Sequence, residues 1–140
     1  MLFRSADDAE AYFKRAIEAD PKEANNLGNF AQLLFSLGRT QEGLDYLDLA
    51  YEEQKSDALA VELLFYRFAH DVKQRDLALA SLKQIILQGA RSPGWDLSKN
   101  IERASIDLHP NLSLLVDLAK VISEGAAISS LETYDEWLKA

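Results

Sequence analysis

Cysteine is absent from the 140 residues, so disulfides, thiol catalysis and thiolate metal sites drop out together. A reducing compartment fits that absence. Proline and glycine are scarce, at three and six residues, which leaves long helices with few breakers. Histidine occurs only at His70 and His109, without the spaced pair or cluster of ligands that a metal site needs. No apolar run reaches the length of a signal-peptide core or a membrane span, so the expected compartment is the cytoplasm. Cations are the minority charge: Lys plus Arg number 15 against 23 Asp plus Glu, a net −8 at pH 7. That balance repels a phosphate backbone, so neither nucleic acid nor membrane is an expected partner. A basic protein partner suits it, and so does plain solubility of an acidic helical surface. Catalytic motifs are missing too, with no Gly-rich phosphate loop, Gly-x-Ser-x-Gly or His-Glu-x-x-His. Acidic pairs such as Asp7-Asp8, Glu52-Glu53 and Asp135-Glu136 diverge by about 100° on a helix and have nothing to separate their pKa values. The expectation is a chain that is not an enzyme and carries no cofactor or metal.

What is present is helical periodicity. Apolar residues make up 48% and charged residues 27%, a globular composition, and the length suits a single domain over residues 1–140. Eight helical segments are predicted and no segment alternates with strand period, so the fold class is all-α. The first spans Ala6–Ala19, opened by Ser5 and stopped by Pro21. The second runs Glu23–Leu37 and ends at Gly38; the third runs from Thr40 to Gln54. Ser56 or Asp57 opens a fourth that reaches Asp71 or Val72, and a fifth spans Asp76–Gln88. Arg91-Ser92-Pro93-Gly94-Trp95 is the clearest break in the chain. Beyond it come Leu97–Ile106, Asn111–Ser123 and a tail helix through Trp137, for which Ser129 with Glu132 suggests a capping box.

An internal echo runs through the first half. Leu27, Phe30, Ala31 and Leu34 map onto Val61, Leu64, Phe65 and Phe68 at an offset of 34 residues, and Ala9, Phe13 and Ala16 map onto Gly43, Leu47 and Ala50 at the same offset. Small residues at Ala31, Gly43 and Ala50 let antiparallel helices approach closely. This pattern resembles the tetratricopeptide repeat (TPR), over residues 6–88. The resemblance implies a short α-solenoid of antiparallel helical hairpins, with residues 95–140 forming a helical cap outside the repeat. The first unit is represented only by its second helix, so Tyr12 and Phe13 need a cover. Leu2 and Phe3 folding over that end, a second copy of the chain, and a longer repeat array are the alternatives.

In the resembled family the first helix of each unit lines a concave groove that receives a peptide or a partner helix. The resemblance places Asn25, Asn29, Gln32 and Ser36 of the second helix on that groove, and Glu62, Tyr66 and His70 of the fourth, with Leu59 and Leu63 beside them. Asn29 stands where many members keep an asparagine for a ligand's main chain, and an amide can both donate and accept. The plainer reading is a set of polar positions on an exposed face. Gly28, Gln32, Leu59 and Leu63 occupy the positions at which some members grip a carboxylate with lysine and arginine. None is basic here, so a neutral or basic ligand is the better fit. Trp95 and Trp137 read as plugs between helical layers ahead of binding anchors. The function expected is that of a protein–protein interaction module or scaffold binding a partner peptide or helix. An acidic inhibitor or immunity-type protein masking a basic partner, and a structural homodimerisation domain, are the alternatives.

Overall fold

A computed structural model describes residues 3–140, and every regular element among them is helical. Local chemistry sets the helix ends. Ser5 accepts a hydrogen bond from the Asp8 amide at 3.2 Å and opens α1 (Ala6–Ala19), with Asp7 and Asp8 near its positive end. α2 (Ala24–Ser36) begins one residue later than predicted, because Glu23 is its cap, accepting from the Asn26 amide at 2.8 Å. Gly38, at φ +78°, turns the chain into α3 (Thr40–Glu53). Ser56 accepts from the Leu59 amide at 3.1 Å and opens α4 (Asp57–His70). Asp71 then accepts from the amides of Lys73 and Gln74, closing a tight turn into α5 (Arg75–Leu87). α6 (Ser98–Ile106) and α7 (Leu112–Glu124) follow, the latter capped by Asn111 and stopped by left-handed Gly125.

The tail departs from expectation. Ser129 and Glu132 do not form a capping box on one helix. Instead Ile128–Leu131 is a single 3-10 turn, and α8 (Asp135–Lys139) starts four residues after it. The cause is double anchoring. Leu131 is fully buried, while the Tyr134 hydroxyl donates to the Asp117 carboxylate of α7, so the chain must turn between the two. Trp137 is buried, and Lys83 of α5 donates to the carbonyls of Trp137 and Leu138 at 2.9 and 3.2 Å, holding down the negative end of α8.

From α1 to α5 each helix packs on the next, most extensively α2 on α3 and α4 on α5. α4 is the centre of the molecule, touching α2, α3, α5, α6 and α7. Its Val61, Leu63, Phe65 and Phe68 have no exposed surface. The N-terminal end is closed by aromatic rings. Phe3 lies 5.4 Å from Tyr12 and 5.9 Å from Phe13, Phe13 stacks on Phe30 at 6.0 Å, and Phe30 meets Tyr46 at 4.6 Å. Leu2, expected beside Phe3, lies outside the described residues. Arg39 clamps this end, its guanidinium meeting both Glu10 oxygens at 2.9 and 2.8 Å and Glu42 as well.

Close approach of α2 and α3 depends on Gly43. A Cβ at that position would lie 2.6 Å from the Phe35 ring. Gly43→Ala gains about 1 kcal/mol of helix propensity, while overpacking a filled core costs about 1–3 kcal/mol. Phe35 is itself fully buried and stacked on His70, so it cannot swing aside. A net loss of about 1 kcal/mol is expected in urea denaturation, from the difference of those two effects. A midpoint at or above that of the parent protein would show that the hairpin can breathe apart at no cost.

Candidate functional site

The face of α4 predicted to meet a partner is covered. Glu62 is 7% exposed, His70 6% and Tyr66 0%, and Leu59 and Leu63 are buried beside them. Residues 92–100, which include the Pro93-Gly94 turn, lie across this face and pair with it group by group. The Ser92 hydroxyl donates to the Glu62 carboxylate, Trp95 Nε1 donates to the Tyr66 hydroxyl at 2.7 Å, and Asn100 Nδ2 lies 3.1 Å from His70 Nε2. The covering segment is pinned from behind, because the amides of Ser92 and Gly94 donate to the carbonyls of Ile122 and Ser123 at the end of α7. Glu62, Tyr66 and His70 are therefore corrected from exposed groove residues to buried partners of the chain's own residues. Burial pushes the Glu62 carboxyl above its ordinary range, and burial together with Glu62 pushes the Tyr66 phenol up. His70 is pulled down to about 3, by burial first and then by the neighbouring His109, Arg75 and Arg103.

The positions on α2 fare differently. Asn29, Gln32 and Ser36 line an open cleft of about 290 Å³ between α1, α2 and the start of α6. Phe3, Ala9, Phe13 and Leu33 supply its apolar part, and Asp96 and Lys99 contribute charge from the far side. Asn25, at the other end of α2, is exposed and donates to Glu23 at 3.4 Å. It borders a separate depression with Asp20, Glu53 and Lys55, so the structure does not bring it together with Asn29 and Gln32. A third cleft, of about 370 Å³, runs between Trp95, Ile101 and α7 and contains none of the predicted positions.

Gln32 joins the open cleft to the buried α4 face. Its Nε2 donates to the Asp96 main-chain oxygen at 2.9 Å and to Asn100 Oδ1 at 3.0 Å. Asn100, fully buried, passes the chain of bonds on to His70, whose ring stacks on Phe35 at 4.4 Å. Sequence reasoning misses Asp96, Lys99 and Asn100 because they reach this place through the tertiary fold; Asp96 and Asn100 stand 64 and 68 residues from Gln32. Trp95 and Trp137 pack against the core, as plugs do. No three His, Asp or Glu side chains converge as a metal-binding group among the described residues, and no helix is long and apolar enough to cross a membrane. No family model, curated protein or solved structure matches the chain.

Proposed function

We propose that the chain is a protein-interaction module of the TPR kind, binding a segment of a partner protein in the cleft between α1, α2 and residues 96–99. One observation carries this reading: three of the four α2 positions that the repeat resemblance assigns to partner contact, Asn29, Gln32 and Ser36, line one open cleft that also has an apolar part. Small-residue packing of α2 on α3 through Gly43 supports the repeat assignment. A concave, partly apolar site with a few convergent polar groups is the ordinary form of a recognition site. Residues 92–100 occupy the α4 half of the groove, so the bound segment contacts α1, α2 and the start of α6.

The test is selection of binders from a random peptide library on the intact protein, followed by titration against variants. Asn29→Ala and Leu33→Asp are expected to weaken the selected peptides by about tenfold or more, as loss of a central contact does, with unchanged melting. Both side chains are half-buried and Asn29 makes no side-chain hydrogen bond among the described residues, so the fold tolerates the changes. Peptides that bind both variants as well as the parent protein would remove the cleft from consideration.

A further inference from the structure

The polar atoms left free in this cleft are mostly acceptors. Gln32 spends both amide hydrogens inward, on Asp96 O and Asn100 Oδ1, and its own Oε1 stays unpaired without being buried. The amide cannot turn over. A main-chain carbonyl only accepts, so reversal would set two oxygens 2.9 Å apart at Asp96. Ser36 gives its hydroxyl proton to the Leu33 carbonyl at 2.7 Å and so offers only lone pairs to the cleft. The Asp96 carboxylate takes the Ser98 hydroxyl and amide on Oδ1, at 2.7 and 3.0 Å, which leaves Oδ2 free. Those bonds also hold its pKa below the usual carboxylate range. Asn29 alone among the uncharged groups offers both donor and acceptor. Lys99, exposed on α6, is the opposing cation at the mouth.

We propose that this cleft selects a cationic side chain of the partner segment, arginine above lysine, through the acceptors Gln32 Oε1, Ser36 Oγ and the Asp96 carboxylate. The inference rests on the reading of the cleft as a segment-binding site. Three features converge on it. A guanidinium carries five donors and no acceptor, the complement of this wall. Its plane stacks on aromatic surface, which Phe3 and Phe13 provide, and its aliphatic stem suits Ala9 and Leu33. The net charge of −8 steers a cation toward the protein from a distance. A carboxylate would face three acceptors with only Lys99 and Asn29 to answer it.

The experiment uses the full chain, nitrogen-labelled, and three blocked dipeptides: acetyl-leucyl-arginine amide and its citrulline and glutamate counterparts. The side-chain amide signals of Asn29 and Gln32 report occupancy of the cleft. The arginyl probe is expected to shift both and to bind about tenfold tighter than the citrulline probe, which keeps the shape and loses the charge. Lys99→Glu, at an exposed helical position, is expected to tighten the arginyl probe by about threefold, the size of an exposed charge effect. Asp96→Asn, which can still accept from Ser98, is expected to weaken it. If the citrulline or glutamate probe binds the cleft as well as the arginyl one, or Lys99→Glu weakens the arginyl probe, the cationic preference is overturned while the cleft remains a binding site. If none of the three probes moves the Asn29 or Gln32 signals at the solubility limit, the binding site itself is overturned.

Discussion

Tyr66→Ala is expected to lower stability by about 3–5 kcal/mol, the range for deleting a large buried aromatic side chain. That is a substantial part of the total stability of a domain this size. Tyr66 has no exposed surface, sits between Phe35 and Phe65 at ring separations of 6.2 and 6.5 Å, and accepts the indole N–H of Trp95. Truncation therefore opens a cavity at the centre of the molecule and leaves a half-buried donor without a partner. Tyr66→Phe separates the two effects. It keeps the ring and loses only the acceptor, at a cost of about 1–2 kcal/mol. Combining it with Trp95→Phe should recover much of that cost, because removing both members of a hydrogen bond is milder than removing one. Urea denaturation followed by near-ultraviolet circular dichroism measures all three. A Tyr66→Ala protein that unfolds at the parent midpoint would mean that residues 92–100 do not hold the α4 face closed.

The same residue shows where the sequence stops being legible. Helix limits follow from local chemistry, which a linear reading can see: Ser5, Ser56, Pro21, Gly38 and Gly125 act within one turn of their own positions. The all-helical class and the hairpin pairing of α2 with α3 follow from periodicity and from small residues such as Gly43. The cover over α4 is a contact between segments some thirty residues apart, seen at Ser92 with Glu62 and Trp95 with Tyr66, and no periodicity encodes it. A signal was nevertheless present. Between Leu59 and Ala69 the chain is apolar at Leu59, Ala60, Val61, Leu63, Leu64, Phe65, Phe68 and Ala69, nearly all the way round a helix, and such a helix belongs in a core. Read that way, Glu62, Tyr66 and His70 are buried polar groups in need of partners, and the polar residues Ser92, Trp95 and Asn100 are there to supply them. Asn29 and Gln32 reach an open cleft because α2 is amphipathic and α1 covers only part of it.

Acidification from pH 6.5 to 5 is expected to remove about 1.5–2 kcal/mol of stability through His70 alone. The direction follows from proton binding. An unfolded-state histidine titrates near 6.5, whereas in the fold His70 is pulled down to about 3. Below 6.5 the unfolded chain binds a proton that the folded one refuses, so stability is complete above that pH and falls as pH drops toward 3. The refusal has a geometric cause besides burial. Asp96 O orients Gln32, Gln32 orients Asn100, and Asn100 presents Nδ2–H to His70 Nε2, which must stay an acceptor. A proton there would face a donor across 3.1 Å, with Arg75, Arg103 and His109 adding repulsion. His109 repeats the arrangement: Nε2 donates to the Phe68 carbonyl while Nδ1 accepts from the Asn111 amide, and burial lowers its pKa too. Glu62 works the other way, since a carboxyl raised by burial is relieved as the pH falls. The share due to His70 is therefore read as a difference. His70→Gln retains an acceptor for Asn100 and removes the titration, so its urea midpoint should change less than the parent's between pH 6.5 and 5. Parallel pH profiles for the two proteins would show that the bond from Asn100 does not depend on a neutral imidazole, and that α6 is held on α4 by packing alone.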